Sequence, residues 1–185
     1  MAVAEGVPYP PVTFRHRRGR PQVPYRAMVD AMRLVLFEPD IAQNTGTLLR
    51  LGACLGVPID VIEPCGFVFS DRHFRRAGMD YLERAALTRH RSWAAYGAAQ
   101  VEQAAPGRLV ALMPDGDTPF TRFTFEPDDR LLLGRESTGL PLNVSATAAA
   151  RLRIPMRIGN RSLNVAVAAA MVLGEALRQT GGFEE

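Results

Sequence analysis

A chain of 185 residues, 47% hydrophobic and 22% charged, has the size and balance of one globular domain with a sizeable core. Its longest apolar run, residues 165–173, is far too short to span a bilayer, and no apolar N-terminal stretch reads as a secretion signal, so a cytoplasmic, membrane-free protein is expected. All 22 basic residues are Arg, the net charge is only +3, and Cys54 and Cys65 with His16, His73 and His90 make neither a disulfide framework nor a zinc spacing, so no metal is expected.

Residues 1–32 are rich in Pro and Arg and lack a sustained period. They read as a disordered or loosely attached tail, with a basic arm on nucleic-acid phosphates as the functional alternative. Met28 and Met32 are alternative starts. Residues 1–33 hold six Arg against Glu5 and Asp30, so the rest of the chain is net −1 and any affinity for polyanions must come from local patches.

From residue 33 strand and helix signals alternate through one domain, 33–185. Residues 34–37 form a short apolar strand. Asn44-Thr45-Gly46 opens a helix with the apolar stripe Leu48, Leu51 and Leu55, and Asn44 has the chemistry of its N-cap. At ~100° per residue Arg50 lies off that stripe, pointing to solvent, a ligand or a second subunit. Gly56 closes the helix and residues 59–62 make the next strand. The stretch 72–91 interleaves Arg72, Arg75, Arg76, Arg84, Arg89 and Arg91 with His73, Phe74, Tyr81 and His90. It is either a solvated surface or a site of phosphate contact and base stacking.

Residues 92–104 read as a helix, and 109–113 and 130–133 as strands. Gly134 then stands at a strand's carboxyl end, where ligands gather in open α/β sheets. No Gly-x-Gly-x-x-Gly and no Gly-Lys-Ser/Thr accompanies it. A strand at 151–154 is stopped by Pro155, and Ser162 or Asn164 caps a last helix, 163–179. That helix is Ala-rich and apolar around most of its circumference, which predicts burial on several sides. The alternation predicts an α/β fold, a mostly parallel sheet with helices on both faces.

Three segments, each weak alone, gain meaning from their order. They are Asn44-Thr45-Gly46 with Arg50, then Leu133-Gly134-Arg135-Glu136-Ser137-Thr138-Gly139-Leu140-Pro141, then Ile154-Pro155-Met156 followed by Asn160-Arg161-Ser162-Leu163-Asn164. With Phe37-Glu38-Pro39 and Arg75-Arg76-Ala77-Gly78, they make residues 33–180 resemble the SPOUT class of RNA methyltransferases. Within that class the chain is most similar to the family that methylates the ribose 2′-hydroxyl of the tRNA wobble nucleotide. The resemblance implies a C-terminal trefoil knot, which general topological rules would not suggest. It implies S-adenosylmethionine held by Leu112, Gly134, Ile154 and Ser162, with Leu163 and Asn164 alongside. It also implies a homodimer using the last helix, and tRNA as partner; the basic stretch 72–91 then offers Arg72, Arg75, Arg76, Arg89 and Arg91 as candidate RNA contacts.

Family accounts make the Arg at position 50 central, sometimes as base, but a guanidinium resists losing its proton. Arg50 is therefore expected to clamp phosphate and stabilise the developing alkoxide, with Glu136 a candidate base and Asn44 an orienting group. Ser137-Thr138 stands where relatives carry Thr-Arg, and Val165-Ala166 replaces a more polar pair; both changes bear on the substrate side. The competing readings are a SPOUT activity on rRNA or on a base, and a non-catalytic RNA-binding protein of the same fold.

Overall fold

In the first strand Leu34 and Leu36 face one way and Val35 and Phe37 the other, and all four are buried. A strand that is apolar on both faces must be covered on both. The computed structural model, which describes residues 32–69, 86–102 and 107–183, shows how this is done. In chain order the elements are β1 (Arg33–Phe37), α1 (Ala42–Leu55), β2 (Ile59–Ile62), β3 (Leu87–His90), α2 (Trp93–Glu102), β4 (Leu109–Leu112), β5 (Thr118–Pro119), β6 (Arg130–Leu133), α3 (Leu142–Ser145), β7 (Ala150–Arg153) and α4 (Val165–Thr180), with a 3-10 turn at Phe120–Arg122.

The strands form one sheet in the order β3-β2-β1-β6-β4-β7-β5, every neighbouring pair parallel. Leu34, Leu36, Ile59, Val61, Leu131 and Leu133 pack with Leu48 and Leu49 of α1 and with Ala169, Val172, Leu173 and Ala176 of α4. On the other face Val35, Phe37, Ile62, Ala111 and Leu132 meet Tyr96 of α2 and Val144 of α3. This is the expected α/β class. The chain leaves β1 toward β2 on one side, whereas β6 and β4 lie on the other. From β1 the chain continues into α1 on one face of the sheet and from β6 into α3 on the other, which makes the β1–β6 boundary a topological switch point.

Several expected details change. Helix α1 starts at Ala42 with Ile41 as N-cap, so Asn44 lies inside the first turn and does not cap it. The face of α1 that meets the sheet is Thr45, Leu48, Leu49 and Gly52, spaced at three and four residues; Leu51 and Leu55 sit half-buried at its margin. Gly52 is required there, because a Cβ would lie 2.6 Å from the Val57 carbonyl and 2.7 Å from Ile59. Gly56 does close the helix, in the left-handed conformation at φ 68. Edge strands β3 and β5 were not expected.

Helix α4 runs Val165–Thr180, and Asn164 caps it, accepting from Ala166 N and Val167 N. One side of it stays open: Val167 and Met171 are 51% and 43% exposed, and Leu163, just before the helix, is 41% exposed. Burial on several sides, as expected from composition, is thus not met within one chain. Among the described residues no helix is long and apolar enough to cross a membrane. The N-terminal segment 1–31 lies outside the described residues, as do Arg72, Arg75 and Arg76.

Candidate active site

A cleft of about 660 Å³ opens at the carboxyl ends of β4, β6 and β7. Its walls are Leu112 and Met113 after β4, residues 133–140 after β6, Ile154 and Met156 after β7, and residues 161–165 at the entry to α4. Ile41 and Asn44 close it from the start of α1. All six expected cofactor residues, Leu112, Gly134, Ile154, Ser162, Leu163 and Asn164, line this one cleft, with Asn44 and Glu136 among them. Arg50 does not line it. It is exposed, six residues further along α1, which is roughly 9 Å along the helix axis.

The loop after β6 is tightly made. Arg135 N donates to Gly139 O at 3.2 Å and Gly139 N donates to Arg135 O at 2.8 Å, with Gly139 at φ 71. A Cβ on Gly134 would lie 2.5 Å from the Gly139 carbonyl carbon and 2.7 Å from Leu140 N. The glycine expected to admit a ligand is therefore needed first to let its own loop close.

Three polar side chains and the Asp40 backbone N–H link this loop to both helices. The Asp40 backbone N–H donates to Glu136 Oε2 at 3.0 Å, and Asn44 Nδ2 donates to Glu136 Oε1, also at 3.0 Å. Asn164 Nδ2 donates to Asn44 Oδ1 at 2.8 Å, and Asn164 Oδ1 accepts the Ala166 N–H at 2.8 Å. The direction of this relay is set from both ends. An ionised carboxylate only accepts and a backbone N–H only donates, so neither amide can flip without breaking a bond. Asn164, expected either as a cap or as a cofactor contact, caps α4 and lines the cleft.

The Asp40 carboxylate returns the link. It accepts from Glu136 N at 3.1 Å, from Ser137 N at 3.3 Å and from the Ser137 hydroxyl. Arg135 stands beside it, its Nη1 donating to Glu38 at 3.1 Å and its Nε 3.8 Å from Asp40. The Glu136 side chain first, and then the Ser137 hydroxyl and the backbone N–H groups of both residues, outweigh desolvation and hold Asp40 down at about 2. Glu136 is pushed upward, by burial first and then by the Asp40 carboxylate. Nothing local in the sequence marks Asp40, since its partners are 96 and 97 residues away. A Pro-Asp pair before a helix reads only as a loop.

The stretch expected to touch RNA is reassigned in part. His90 is 7% exposed and its Nε2 lies 2.9 Å from Asp60 Oδ1, so it is not a stacking platform. Asp60, itself 2% exposed, also accepts from Arg33 Nε at 2.7 Å and Nη2 at 3.2 Å. Burial alone would raise the Asp60 carboxyl, but His90 and Arg33 more than offset it and leave it lowered. Arg89 Nε donates to Glu63 at 2.7 Å and its guanidinium lies 4.5 Å from the Phe69 ring centre. Arg91 is exposed. Among the described residues no group of His, Cys, Asp and Glu could hold a metal ion.

The profile of the SpoU rRNA Methylase family matches residues 31–174. The chain is 62% identical over 150 residues to a tRNA (cytidine(34)-2′-O)-methyltransferase of Beijerinckia indica subsp. indica, covering 81% of this chain and 92% of that one. A solved structure described as "Structural insights into the 2-OH methylation of C/U34 on tRNA" is similar with TM-score 0.74 and 39% identity, over 82% of this chain and 97% of the other. The SpoU methyltransferase AviRb of Streptomyces viridochromogenes, solved with the cofactor AdoMet, is similar with TM-score 0.71 and 27% identity, over 81% of this chain and 60% of that one.

Proposed function

This chain belongs to the SpoU rRNA Methylase family, and on that premise we propose that it transfers a methyl group from S-adenosylmethionine to the ribose 2′-hydroxyl of nucleotide 34 in tRNA. The observation that carries this reading is the gathering of Leu112, Gly134, Ile154, Ser162, Leu163 and Asn164 from three separate loops around one cleft, with a fixed polar relay at its wall.

The lining suits the cofactor. Leu112, Leu133, Leu140, Ile154 and Met156 give apolar walls for a flat base, while loop backbone and the Ser162 and Asn164 side chains offer hydrogen-bonding groups to its polar ends. When bound, S-adenosylmethionine supplies an electrophilic methyl group on a sulfonium. The protein's share is positioning, which can supply ~7–11 kcal/mol of a barrier. Glu136 has both oxygens engaged, by Asp40 N and Asn44 Nδ2. That favours a positioning role for it over the role of base. Asn44 and Asn164 carry the same restraint to the start of α4. Arg50 acts through its charge, gripping a substrate phosphate and steadying the oxygen as the hydroxyl loses its proton.

In one chain Arg50 stands outside the cleft while the Leu163, Val167 and Met171 stripe lies open. Both features support a homodimer that covers this stripe and brings Arg50 of one subunit to the cleft of the other. Light scattering at micromolar concentration should give about twice the 20.3 kDa chain mass. The C-terminal trefoil knot belongs to the same proposal, as do Arg72, Arg75, Arg76, Arg89 and Arg91 as RNA contacts. So do the assignment of residues 33–185 to the methyltransferase domain, with 1–32 outside it, a cytoplasmic location beside tRNA, and activity without a metal.

The test is to incubate unmodified tRNA with the protein and S-adenosylmethionine, digest it, and locate the added mass by mass spectrometry. One methyl on the ribose of nucleotide 34 is expected. A methyl on a base or at another position would redirect the assignment within the family, and no transfer would overturn it.

A further inference from the structure

Asp40 is the only described residue that both accepts from the loop after β6 and donates to it. It sits in the short connection between β1 and α1, at the switch point of the sheet. Its carboxylate takes two consecutive backbone N–H groups, of Glu136 and Ser137, together with the Ser137 hydroxyl. Its own N–H grips Glu136 Oε2, which leaves Oε1 for Asn44. The short loop is otherwise closed on itself by the Arg135–Gly139 pair. What fixes its position against α1 is Asp40, reinforced by the Glu136–Asn44 bond.

We propose that Asp40 is a positioning residue for methyl transfer, a clamp that seats the loop after β6 against α1 and aims Glu136 so that the relay reaches Asn164 with one polarity. The chemistry requires a carboxylate. Two adjacent N–H donors and a hydroxyl converge on its two oxygens, and a primary amide presents one acceptor and an opposing donor to the same three groups. The guanidinium of Arg135, which also holds Glu38, keeps a positive charge at its back. Ser137, one of the two positions at which this chain departs from the expected Thr-Arg pair, retains the hydroxyl that the clamp uses.

The catalytic consequence rests on the proposed methyl transfer, but the clamp itself can be tested without it. Amide hydrogen exchange on the full chain without cofactor should show residues 135–139 exchanging faster in Asp40→Asn by about tenfold or more, the scale of one charge-assisted hydrogen bond. β1 and β2 should be unchanged, and Asp40→Glu, which keeps the carboxylate, should retain most of the protection. In tRNA methylation, Asp40→Asn should raise KM for S-adenosylmethionine by a similar factor and lower kcat, with KM for tRNA unmoved. A merely structural loss would shrink the folded fraction and lower kcat alone. Should Asp40→Asn not fold, Ser137→Ala removes one donor of the clamp and must shift the same two readouts in the same direction. Unchanged exchange at 135–139, or a lower kcat with an unmoved KM for S-adenosylmethionine, would overturn the clamp. If wild-type protein transfers no methyl while the exchange effect is present, the clamp stands and the transfer reading falls.

Discussion

Asp60 and Glu136 are both carboxylates drawn from water beside β1, yet their surroundings push them in opposite directions. Asp60 lies under α2 against two basic side chains, Arg33 and His90, and is held in its charged form despite nearly complete burial. Glu136 faces an amide, a backbone N–H and a second carboxylate, and its proton affinity rises. The first cluster is satisfied, so its value lies in stability. The second keeps two acids side by side at the mouth of a cleft, an arrangement a fold retains where it serves chemistry. Breaking either cluster should therefore damage a different property.

The largest expected effect is on folding. Asp60→Ala removes the carboxylate that buried His90 and half-buried Arg33 share and should cost about 3–5 kcal/mol, read as a lower urea midpoint. Activity per folded molecule should hardly change; a selective loss of turnover would erase the contrast. Next comes Arg50→Ala, which should lower kcat by about 10²–10³ if it stabilises developing charge, with melting and S-adenosylmethionine affinity nearly intact. Near-normal turnover would remove Arg50 from the mechanism.

Asn44→Ala interrupts the relay, stranding Glu136 Oε1 and Asn164 Nδ2. A fall in kcat/KM of about tenfold to a hundredfold is expected, as for loss of a hydrogen bond to a charged group, with a smaller change in stability than Asp60→Ala gives. Equal stability losses in the two variants would show that the clusters do not differ in kind.

The smallest effect is on pH dependence. Asp40 is depressed from 3.8 to about 2, so its contribution is present above 3.8 and is lost as pH falls through about 2. Glu136 acts in the opposite sense. Its raised value adds stability below its ordinary 4.5, and that addition is lost as pH rises through the folded-state value. The melting-temperature gap between wild type and Asp40→Asn should accordingly narrow between pH 3.8 and about 2. A gap that widens there would show that Asp40 is not held ionised by its loop.

Local pattern carried much of the fold. The apolar strands at 34–37, 59–62, 109–112 and 130–133, and the stop at Gly56, follow from period and turn chemistry alone. Strand β3 did not, because Leu87-Thr88-Arg89-His90 at a sheet edge carries too little apolar signal. The residue type of Asn44 fits a cap as well as an orienting group, and what separates the two is its partners, Glu136 and Asn164, 92 and 120 residues away. The cleft residues were legible through family resemblance and not through periodicity. Asp40 was legible through neither, since a clamp between two loops leaves no local trace.

The acceptor atom itself offers the most direct test of the proposed transfer. Two otherwise identical tRNAs, one with a 2′-hydroxyl and one with a 2′-deoxy sugar at nucleotide 34, are incubated with the protein and methyl-labelled S-adenosylmethionine. Label entering the hydroxyl-bearing tRNA alone is the predicted result; equal label in the 2′-deoxy tRNA would contradict methylation at that hydroxyl.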